Sequence, residues 1–389
     1  MKSVITAMAR TPIGSFLGSL ASFRASQLGS IVIKNIIDKT NLKNNLIDEV
    51  IMGNVLCSGV GQAPARQAAL FGGLSNHTEC TTINKVCGSG LKAVMLADQI
   101  IQCEDSKMII AGGMESMSQT PHLSYLRKGL KLGQGKLIDS MIYDGLTDAY
   151  DNVHMGQYAE VLNRENKILR EEQDDFAMQS YKRAQNAIKN NLFNDEIIPI
   201  EIKNKKGIVT FSHDEEPGKL NLDKVKTLKP VFDKSGSITA ANASSLSDGA
   251  AAILVMSAAE AKKLGQEILV EIVAHSSYAH DPKYFTTAPI GAIKKVLNKA
   301  SYDLEDIDLF EINEAFSCVT IATINELGIH PSKVNINGGA VALGHPIGAS
   351  GARILVTLIN ALIKNDLKIG LAVLCIGGGE AAAMIIKRS

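Results

Sequence analysis

The chain has 389 residues, of which 46% are hydrophobic and 21% are charged. This is enough for a large buried core in two or three domains. Forty basic residues balance forty acidic ones, so the overall charge does not favour binding to nucleic acid or to an anionic membrane surface. No apolar run reaches the roughly 18 residues of a membrane-spanning helix. Residues 1–14 look like a strand rather than a targeting segment, which predicts a cytoplasmic protein.

The first 115 residues alternate strand-like and helix-like segments. The pattern predicts strands over residues 3–8, 49–55, 81–86 and 107–113, and helices over 20–40 and 91–101. Such alternation is typical of an α/β fold built on a largely parallel sheet.

Residues 116–246 have a different texture. They contain a Gly- and Lys-rich stretch at 125–141, an amphipathic helical pattern at 171–190 and a polar, Lys-rich run at 203–234. A long polar insertion on a rigid α/β base is commonly where substrate is held. Its lysines have two interpretations, contact with a phosphate or a solvated surface.

The last 120 residues repeat the order of the first. Strands are predicted over 268–276, 306–313, 334–339, 371–378 and 381–389, and helices over 291–300 and 354–365. The segment at 247–257 closely resembles the one at 378–389, which predicts two similar halves with an insertion before the last strand of the first. The predicted domains are an N-terminal half at 1–118 completed by 247–268, an inserted loop domain at 119–246 and a C-terminal half at 269–389.

The helices that follow Cys87 and Ser350 are apolar almost all round. Helices of this kind are buried on every side. We therefore expect one sheet from each half, with these two helices packed between the sheets. Two glycine-rich loops would then lie at the seam between the halves.

Six cysteines are scattered without the spacing of metal ligands. Most are expected to be small buried hydrophobes. Cys87 and Cys375 stand out, because each ends an apolar run and is followed by glycine. His345 lies in the glycine-rich stretch at 337–353. That stretch has two interpretations, a reactive histidine beside a helix N-terminus or a packing turn around a hydrogen-bonded histidine.

A cysteine at a helix N-terminus has its thiolate stabilised by free N–H groups, and a nearby histidine lowers its pKa further. The pattern around Cys87 therefore predicts an activated nucleophile. Cys375 is a candidate base for proton transfer if the fold brings it close to Cys87, which sequence spacing does not show.

Three long motifs resemble, in order, signatures of the thiolase family: residues 83–94, 337–353 and 371–385. Shorter agreements lie at 9–16, 112–118, 154–156 and 313–316. The resemblance covers essentially the whole chain. It implies the five-layer αβαβα fold of that family, which agrees with the two similar halves and the buried helices.

The resemblance also implies roles for five residues. Cys87 would attack a thioester to form an acyl-enzyme. His345 would deprotonate Cys87 and, with Asn313 and a water, bind an enolate oxygen. Cys375 would remove the α-proton of the second substrate, and the backbone N–H groups of Cys87 and Gly377 would form an oxyanion hole.

The activity implied by the resemblance is a reversible condensation of two acetyl-CoA molecules to acetoacetyl-CoA and CoA. It needs no metal and no cofactor, since CoA is both substrate and product. Residues 84–90 and 154–156 resemble the biosynthetic branch. A broader-chain 3-ketoacyl-CoA thiolase of fatty-acid degradation is the alternative enzyme, and a non-catalytic CoA- or lipid-binding scaffold is the alternative of another class.

The stretch at 119–142 resembles the family's tetramerisation loop, which implies a homotetramer.

The resemblance further implies a set of substrate-binding residues, Leu146, His154, Met155, Phe232, Ala243, Ser244, Ala315 and Phe316. Three of them, Leu146, Phe232 and Phe316, could equally be core residues, and Ser244 could be a turn or cap residue. The stretch at 214–224 departs from the family, since it carries Lys219 where many relatives place an arginine near the CoA phosphates. Lysine binds phosphate as a point charge rather than as a fork, so the nucleotide end of the site stays unassigned.

Overall fold

The structure is a computed structural model that describes residues 2–205 and 207–388. Its N-terminal part contains β1 (Ser3–Arg10), β2 (Gly14–Ser15), α1 (Ala25–Thr40), β3 (Glu49–Gly53), α2 (Pro64–Phe71), β4 (Glu79–Ile83), α3 (Ser89–Gln102), β5 (Met108–Ser116) and β6 (His122–Leu123). The middle part contains β7 (Ile138–Asp139), α4 (Met155–Glu165), α5 (Arg170–Lys189), β8 (Ile200–Asn204) and β9 (Gly207–Phe211). The C-terminal part contains β10 (Ser247–Ser257), α6 (Ala258–Lys263), β11 (Val270–Ala279), α7 (Ala288–Ala300), β12 (Leu309–Ile312), α8 (Ser317–Leu327), α9 (Ala340–Leu343), α10 (Ser350–Lys364), β13 (Ile369–Ile376) and β14 (Glu380–Lys387).

One large sheet runs through the molecule in the order β12-β13-β14-β11-β1-β10-β5-β3-β4, with β2 beside β10. From β1, the pairings with β10 and then of β10 with β5 are antiparallel, and that of β5 with β3 is parallel. From β11 in the other direction, the pairings with β14 and then of β14 with β13 are antiparallel, and that of β13 with β12 is parallel. The two halves are therefore similar, and β10 closes the first as β14 closes the second. The expectation of a largely parallel sheet is wrong for the central strands, because the last strand of each half returns antiparallel between its neighbours.

The two halves of the sheet were expected as separate sheets. They are instead joined where β1 pairs with β11 through Val4–Glu271 and Ile5–Val270. A further backbone bond from Leu269 N to Ile5 O, at 2.9 Å, adds to this short junction.

Side chains of alternate strand residues define five layers. In β10, Ile253 and Val255 face the core that contains α3 and α10, whereas Leu254 faces the core under α1 and α2. In β14, Met384 faces the α3–α10 core, whereas Ile385 faces the core under α7. The period of two in a strand thus places helices on both faces of each half. The predicted αβαβα arrangement is confirmed, and the predicted domain boundaries stay a prediction.

Helices α3 and α10 lie back to back in the middle layer, as their all-round apolar sequence predicts. Every residue of α10 from Ser350 to Leu362 is buried. A Cβ at Gly351 would overlap the backbone N of Leu91, so glycine permits the close approach of the two helices. No helix in residues 2–205 and 207–388 is long and apolar enough to cross a membrane.

The predicted strand at 334–339 is absent from the described structure, and an asparagine side chain takes its place. A single bridge joins Val334 to Phe310. Beyond it, Asn335 Oδ1 accepts from Ile312 N and Asn335 Nδ2 donates to Ile312 O, both at 2.8 Å. The Asn335 side chain satisfies both the N–H and the C=O of Ile312. The β-ladder therefore ends at residue 334, and the chain turns toward His345.

Candidate active site

A cavity of about 550 Å³ opens at the seam between the two halves. This volume suits a small-molecule site. The structure brings together all the predicted site residues except Asn313 as its lining: Cys87, Leu146, His154, Met155, Phe232, Ala243, Ser244, Ala315, Phe316, His345, Cys375 and Gly377. Residues from both halves and from the segment between them therefore meet in one place.

Cys87 lies on the cavity wall in the tight turn between β4 and α3. Val86 precedes it with a φ of 45°, in the left-handed region that β-branched residues rarely adopt. The Ser89 hydroxyl donates to Val86 O at 2.7 Å and holds the turn closed. A side chain at Gly88 would overlap Ile376, so a glycine is needed next to the cysteine. The turn presents the thiol to the cavity at the cost of local backbone strain.

The pKa of the Cys87 thiol is raised to about 11, chiefly because burial disfavours the thiolate. The backbone N–H groups of Gly377 and of Cys87 itself lower the pKa by less, and the Glu115 carboxylate raises it further. The predicted lowering of this pKa by the helix N-terminus and a histidine is therefore wrong for the resting site. Cys87 rests as a thiol and has to lose its proton during attack.

His345 lies on the loop between α9 and α10 and is only 7% exposed. Its Nδ1 is 2.6 Å from Ser350 Oγ, and the Ser350 hydroxyl donates to Pro346 O at 3.0 Å. The hydroxyl therefore accepts from Nδ1–H, which leaves the lone pair on Nε2. Among the described residues, Nε2 has no hydrogen-bond partner. Burial and the charge of Arg353 lower the pKa of His345 to about 3, so the imidazole is neutral at rest and a weaker base than a free histidine.

Cys375 lies near the end of β13 and is 1% exposed. Its pKa is raised well above the ordinary thiol value, first by burial and then by the neighbouring thiols of Cys87 and Cys318. The two cysteines that the sequence singled out thus meet in one cavity. Cys318 is fully buried in the apolar cluster behind Cys375, as expected for a small hydrophobe.

Asn313 follows β12 and is fully buried beside the cavity rather than on its wall. Its backbone N donates to Val373 O at 2.9 Å. Neither Oδ1 nor Nδ2 of its side chain has a hydrogen-bond partner within the described part of the chain. A buried amide left unpaired is costly, so both polar atoms of the Asn313 side chain remain available to bind a ligand or a water.

Glu115, near the end of β5, joins two loops behind the site. Its buried carboxylate accepts from Val55 N and Gly348 N, both at 3.0 Å, and from Asn54 Nδ2 at 2.7 Å. Burial nevertheless raises its pKa to about 7. Glu115 thereby ties the loop after β3 to the loop that carries His345. The sequence motif at 112–118 contains this residue but gave it no role.

Three aromatic rings form one wall of the cavity. Phe232 stacks on His154 with ring centroids 4.6 Å apart and meets Phe316 edge-on at 6.0 Å. It lies directly against Gly156, where a Cβ would overlap the ring. His154 Nδ1 accepts from Gly156 N at 3.0 Å and caps α4, and burial lowers the pKa of His154. The wall is therefore aromatic, largely apolar and uncharged at neutral pH.

Residues 242–244 run alongside residues 315–317 and build the adjoining wall. Ser244 donates to Ala315 O from its backbone N at 3.1 Å and from its hydroxyl at 2.9 Å. Ser317 N donates to Asn242 O at 2.9 Å. The Ser244 hydroxyl thus ties two segments that lie 71 residues apart in sequence, which is not the local role of a turn or cap residue, and Ser244 also lines the cavity.

The ammonium group of Lys219 contacts neighbouring side chains. Its Nζ lies 3.3 Å from Glu215 Oε1, 3.5 Å from Glu216 Oε1 and 2.5 Å from Ser15 Oγ. Glu216 itself lines the cavity. A lysine already paired with two carboxylates is a weak phosphate ligand, and the nucleotide end stays unassigned.

Five further lining residues carry only weak sequence signals and were not predicted: Met117, Met141, Ile142, Phe285 and Ile347. Met141 and Ile142 begin a π-helical turn at Met141–Leu146, an element frequent at functional sites. The turn has no reliable sequence signature. Ser350 lies five residues after His345 in the motif at 337–353, so its orienting contact with His345 could have been predicted from the spacing.

No group of His, Cys, Asp or Glu in residues 2–205 and 207–388 is arranged to hold a metal ion. The cavity instead provides two thiols, a neutral imidazole and backbone N–H groups directed at one of the thiols. This set can move a proton from sulfur to nitrogen, carry an acyl group on sulfur and stabilise an oxyanion.

Known proteins resemble this chain over its whole length. The family descriptions "Thiolase, N-terminal domain" and "Thiolase, C-terminal domain" match residues 3–259 and 266–388. An acetyl-CoA acetyltransferase of Yarrowia lipolytica is 52% identical over 99% of this chain and 96% of its own length. One from Pseudomonas aeruginosa is 49% identical over 99% of each chain. The crystal structure of the Bacillus anthracis acetyl-CoA acetyltransferase has a TM-score of 0.97 and 40% identity, covering 100% of this chain and 99% of that one.

Proposed function

The chain belongs to the thiolase family, and from that membership we propose that it is an acetyl-CoA C-acetyltransferase. It joins two acetyl-CoA molecules reversibly into acetoacetyl-CoA and free CoA. The observation that carries this proposal is the meeting of the Cys87 thiol, the neutral imidazole of His345 and the Cys375 thiol in one cavity. Near full-length similarity to acetyl-CoA acetyltransferases supports the same activity.

The first half of the reaction transfers an acetyl group to Cys87. His345 Nε2 takes the thiol proton while Cys87 Sγ attacks the thioester carbonyl of acetyl-CoA. The N–H groups of Cys87 and Gly377 bind the oxyanion that develops, a contribution of about 10²–10³ in rate for each donor. The tetrahedral intermediate collapses, the imidazolium returns its proton to the departing CoA sulfur, and acetyl-Cys87 remains.

The second half forms the carbon–carbon bond. His345, neutral again, accepts the proton of the Cys375 thiol, and the resulting thiolate removes an α-proton from a second acetyl-CoA. The His345 imidazolium, with Asn313 and a water, binds the enolate oxygen. The α-carbon attacks the acetyl carbonyl on Cys87, acetoacetyl-CoA forms, and the Cys87 thiolate leaves and recovers a proton from the imidazolium. The high pKa of the Cys375 thiol, caused mainly by burial, makes its thiolate a strong base once formed.

The remaining cavity residues hold the substrate. The aromatic wall of Phe232, His154 and Phe316 packs against the CoA arm, and Met155 with Leu146 borders the acyl end. Ala243, Ser244 and Ala315 complete the adjoining wall. These assignments follow the family resemblance and are supported by the position of every one of these residues on the cavity lining.

We also propose that the reaction needs no cofactor, since CoA is itself substrate and product. Activity that survives exhaustive dialysis against a chelator would support this. A cytoplasmic location is proposed from the sequence alone, and cell fractionation tests it.

A homotetramer is the proposed assembly. The segment at 119–142 resembles the family's tetramerisation loop, and it exposes several large apolar side chains, among them Tyr125, Leu126, Leu130, Leu132 and Leu137. Apolar clusters of this kind are seldom left open on monomers. Light scattering on the native chain and on a Leu132→Asp variant tests the proposal, since Leu132 is 99% exposed and its replacement should weaken only the assembly.

The activity is tested by CoA-dependent cleavage of acetoacetyl-CoA measured beside 3-ketohexadecanoyl-CoA, with Cys87→Ala as the control. Fast, Cys87-dependent turnover of the short substrate alone supports the proposal. Preference for the long substrate would instead assign the chain to the degradative type, and turnover of neither would reject both.

A further inference from the structure

Residues 231–238, here named the strap, form a narrow loop at the mouth of the cavity. Val231 N donates to Ile238 O at 2.9 Å, and Gly236 N donates to Asp233 O at 2.9 Å, so the strap folds back on itself. Val231 is 60% exposed, while both Val231 and Phe232 line the cavity. The strap thus carries Phe232 inward from an exposed edge.

The strap is anchored by Glu160 on α4, which is 1% exposed. Glu160 Oε1 accepts from Ser237 N at 2.8 Å and from Ile238 N at 2.7 Å. Glu160 Oε2 accepts from the Ser237 hydroxyl at 3.0 Å. A carboxylate that receives several hydrogen bonds from one short segment fixes that segment closely.

Helix α4 connects this anchor to the aromatic wall. Its first turn places Gly156 under the Phe232 ring, and its cap, His154, stacks on the same ring. Glu160 does not line the cavity. Any effect of Glu160 on substrate is therefore indirect, and its hydrogen bonds lead to the strap that carries Phe232.

We propose that Glu160 is a positioning residue for CoA recognition, which holds the strap so that Phe232 stays against His154 as a wall for the CoA arm. This inference rests on the proposed function, because it concerns the same cavity. Without the anchor, the N–H groups of Ser237 and Ile238 lose their acceptor and turn toward solvent. Phe232 then has to be ordered each time CoA binds, which weakens binding.

The test is a double-mutant cycle on Glu160→Ala and Phe232→Ala, read as the KM for CoA in cleavage of acetoacetyl-CoA. Each single variant should raise this KM by about tenfold, with a smaller change in kcat. The double variant should be little worse than either single one, because both substitutions remove the same ordered ring. Additive effects would show that Glu160 acts independently of Phe232 and would overturn the proposal.

Glu160→Gln and Glu165→Ala serve as the matched variants. Glutamine keeps one carbonyl oxygen for the strap and should give an intermediate KM, and it replaces alanine in the cycle if Glu160→Ala does not fold. Glu165 lies on the same helix, is 47% exposed and pairs only loosely with Lys283 at 3.8 Å, so Glu165→Ala should match the native chain. An equal rise in KM for Glu165→Ala would contradict the proposal.

Direct calorimetric titration with CoA separates this inference from the proposed function. If the native chain turns over no acetoacetyl-CoA, the proposed function fails, yet the cycle can still be read in the dissociation constant for CoA. If the native chain turns over substrate and the variants bind CoA as it does, only the role of Glu160 is rejected.

Discussion

Asp98 on α3 and His275 on β11 form a buried hydrogen bond across the seam, with Asp98 Oδ2 3.0 Å from His275 Nε2. Gln102 donates to the same carboxylate at 2.8 Å. These bonds lower the pKa of Asp98 below its ordinary value of 3.8, even though burial acts in the opposite direction. The two halves are thus tied by a carboxylate that the folded state keeps ionised.

The pair predicts an acid-sensitive contribution to stability. Since the folded-state pKa of Asp98 lies below the unfolded one, the contribution is complete above the ordinary pKa of 3.8 and is lost as the pH falls through the lower folded value. Asp98→Asn should lower the free energy of unfolding by about 1–3 kcal/mol near neutral pH, and the gap to the native chain should close in acid.

Melting temperatures recorded between about pH 7 and about pH 2 measure this gap. Asp38→Asn is the control, because Asp38 pairs with Lys34 at 3.2 Å but is 59% exposed. A gap of the same size at every pH would show that the Asp98 charge is not responsible.

The pKa values of Cys87 and His345 predict an unusual pH dependence of alkylation. The Cys87 thiol has a pKa of about 11 and His345 one of about 3, so both groups are neutral throughout the range between. The rate of Cys87 alkylation by iodoacetamide should therefore keep rising with pH toward that upper value. Peptide mass spectrometry resolves Cys87 from the other cysteines, and a plateau reached near neutral pH would reveal a preformed thiolate–imidazolium pair instead.

The direction of the Cys87 pKa shift could not be predicted from the sequence, although the local structure around Cys87 could. The turn and the following helix were predictable from a cysteine at the end of an apolar run followed by glycine. The sign of the pKa shift was not, because it depends on how deeply packing of the other half buries the thiol. Burial outweighs the N–H groups of Gly377 and Cys87, and no local pattern near residue 87 encodes that balance.

The fold was predictable to a similar depth. The match between 247–257 and 378–389 anticipated two similar halves, since β10 and β14 occupy corresponding places in the sheet. The side-chain pairing of Asn335 with Ile312 could not be foreseen, because VNINGG has the alternation of a strand and the competing amide contact is long-range. The contacts of Glu160 could not be predicted for the same reason, since its partners lie 77 and 78 residues away.

In the proposed mechanism Cys87 carries the acetyl group and Cys375 removes the α-proton, so the two half-reactions should be separable. Cys375→Ala should still accept an acetyl group from acetyl-CoA on Cys87, because acylation uses His345 and the N–H groups. It should form no acetoacetyl-CoA, because no base removes the α-proton. Mass spectrometry of the intact protein detects the acetyl group, with Cys87→Ala as the unlabelled control. Loss of acetylation in Cys375→Ala, with the fold preserved, would assign Cys375 to the first half-reaction as well.

Ser350→Ala should slow both half-reactions by disturbing His345. The Ser350 hydroxyl accepts from Nδ1–H and so keeps the lone pair on Nε2, the atom proposed to take the Cys87 proton. Without it the ring can rotate and exchange tautomers, and a loss of about 10–100-fold in kcat is expected for removal of such an orienting partner. The KM for CoA should change little, because Ser350 does not line the cavity.

Ser332→Ala is the matched control, since Ser332 Oγ lies 2.7 Å from His330 Nδ1 in an exposed pair remote from the site. An unchanged kcat in Ser350→Ala would mean that packing alone orients His345, whereas an equal loss in Ser332→Ala would point to a general effect on folding.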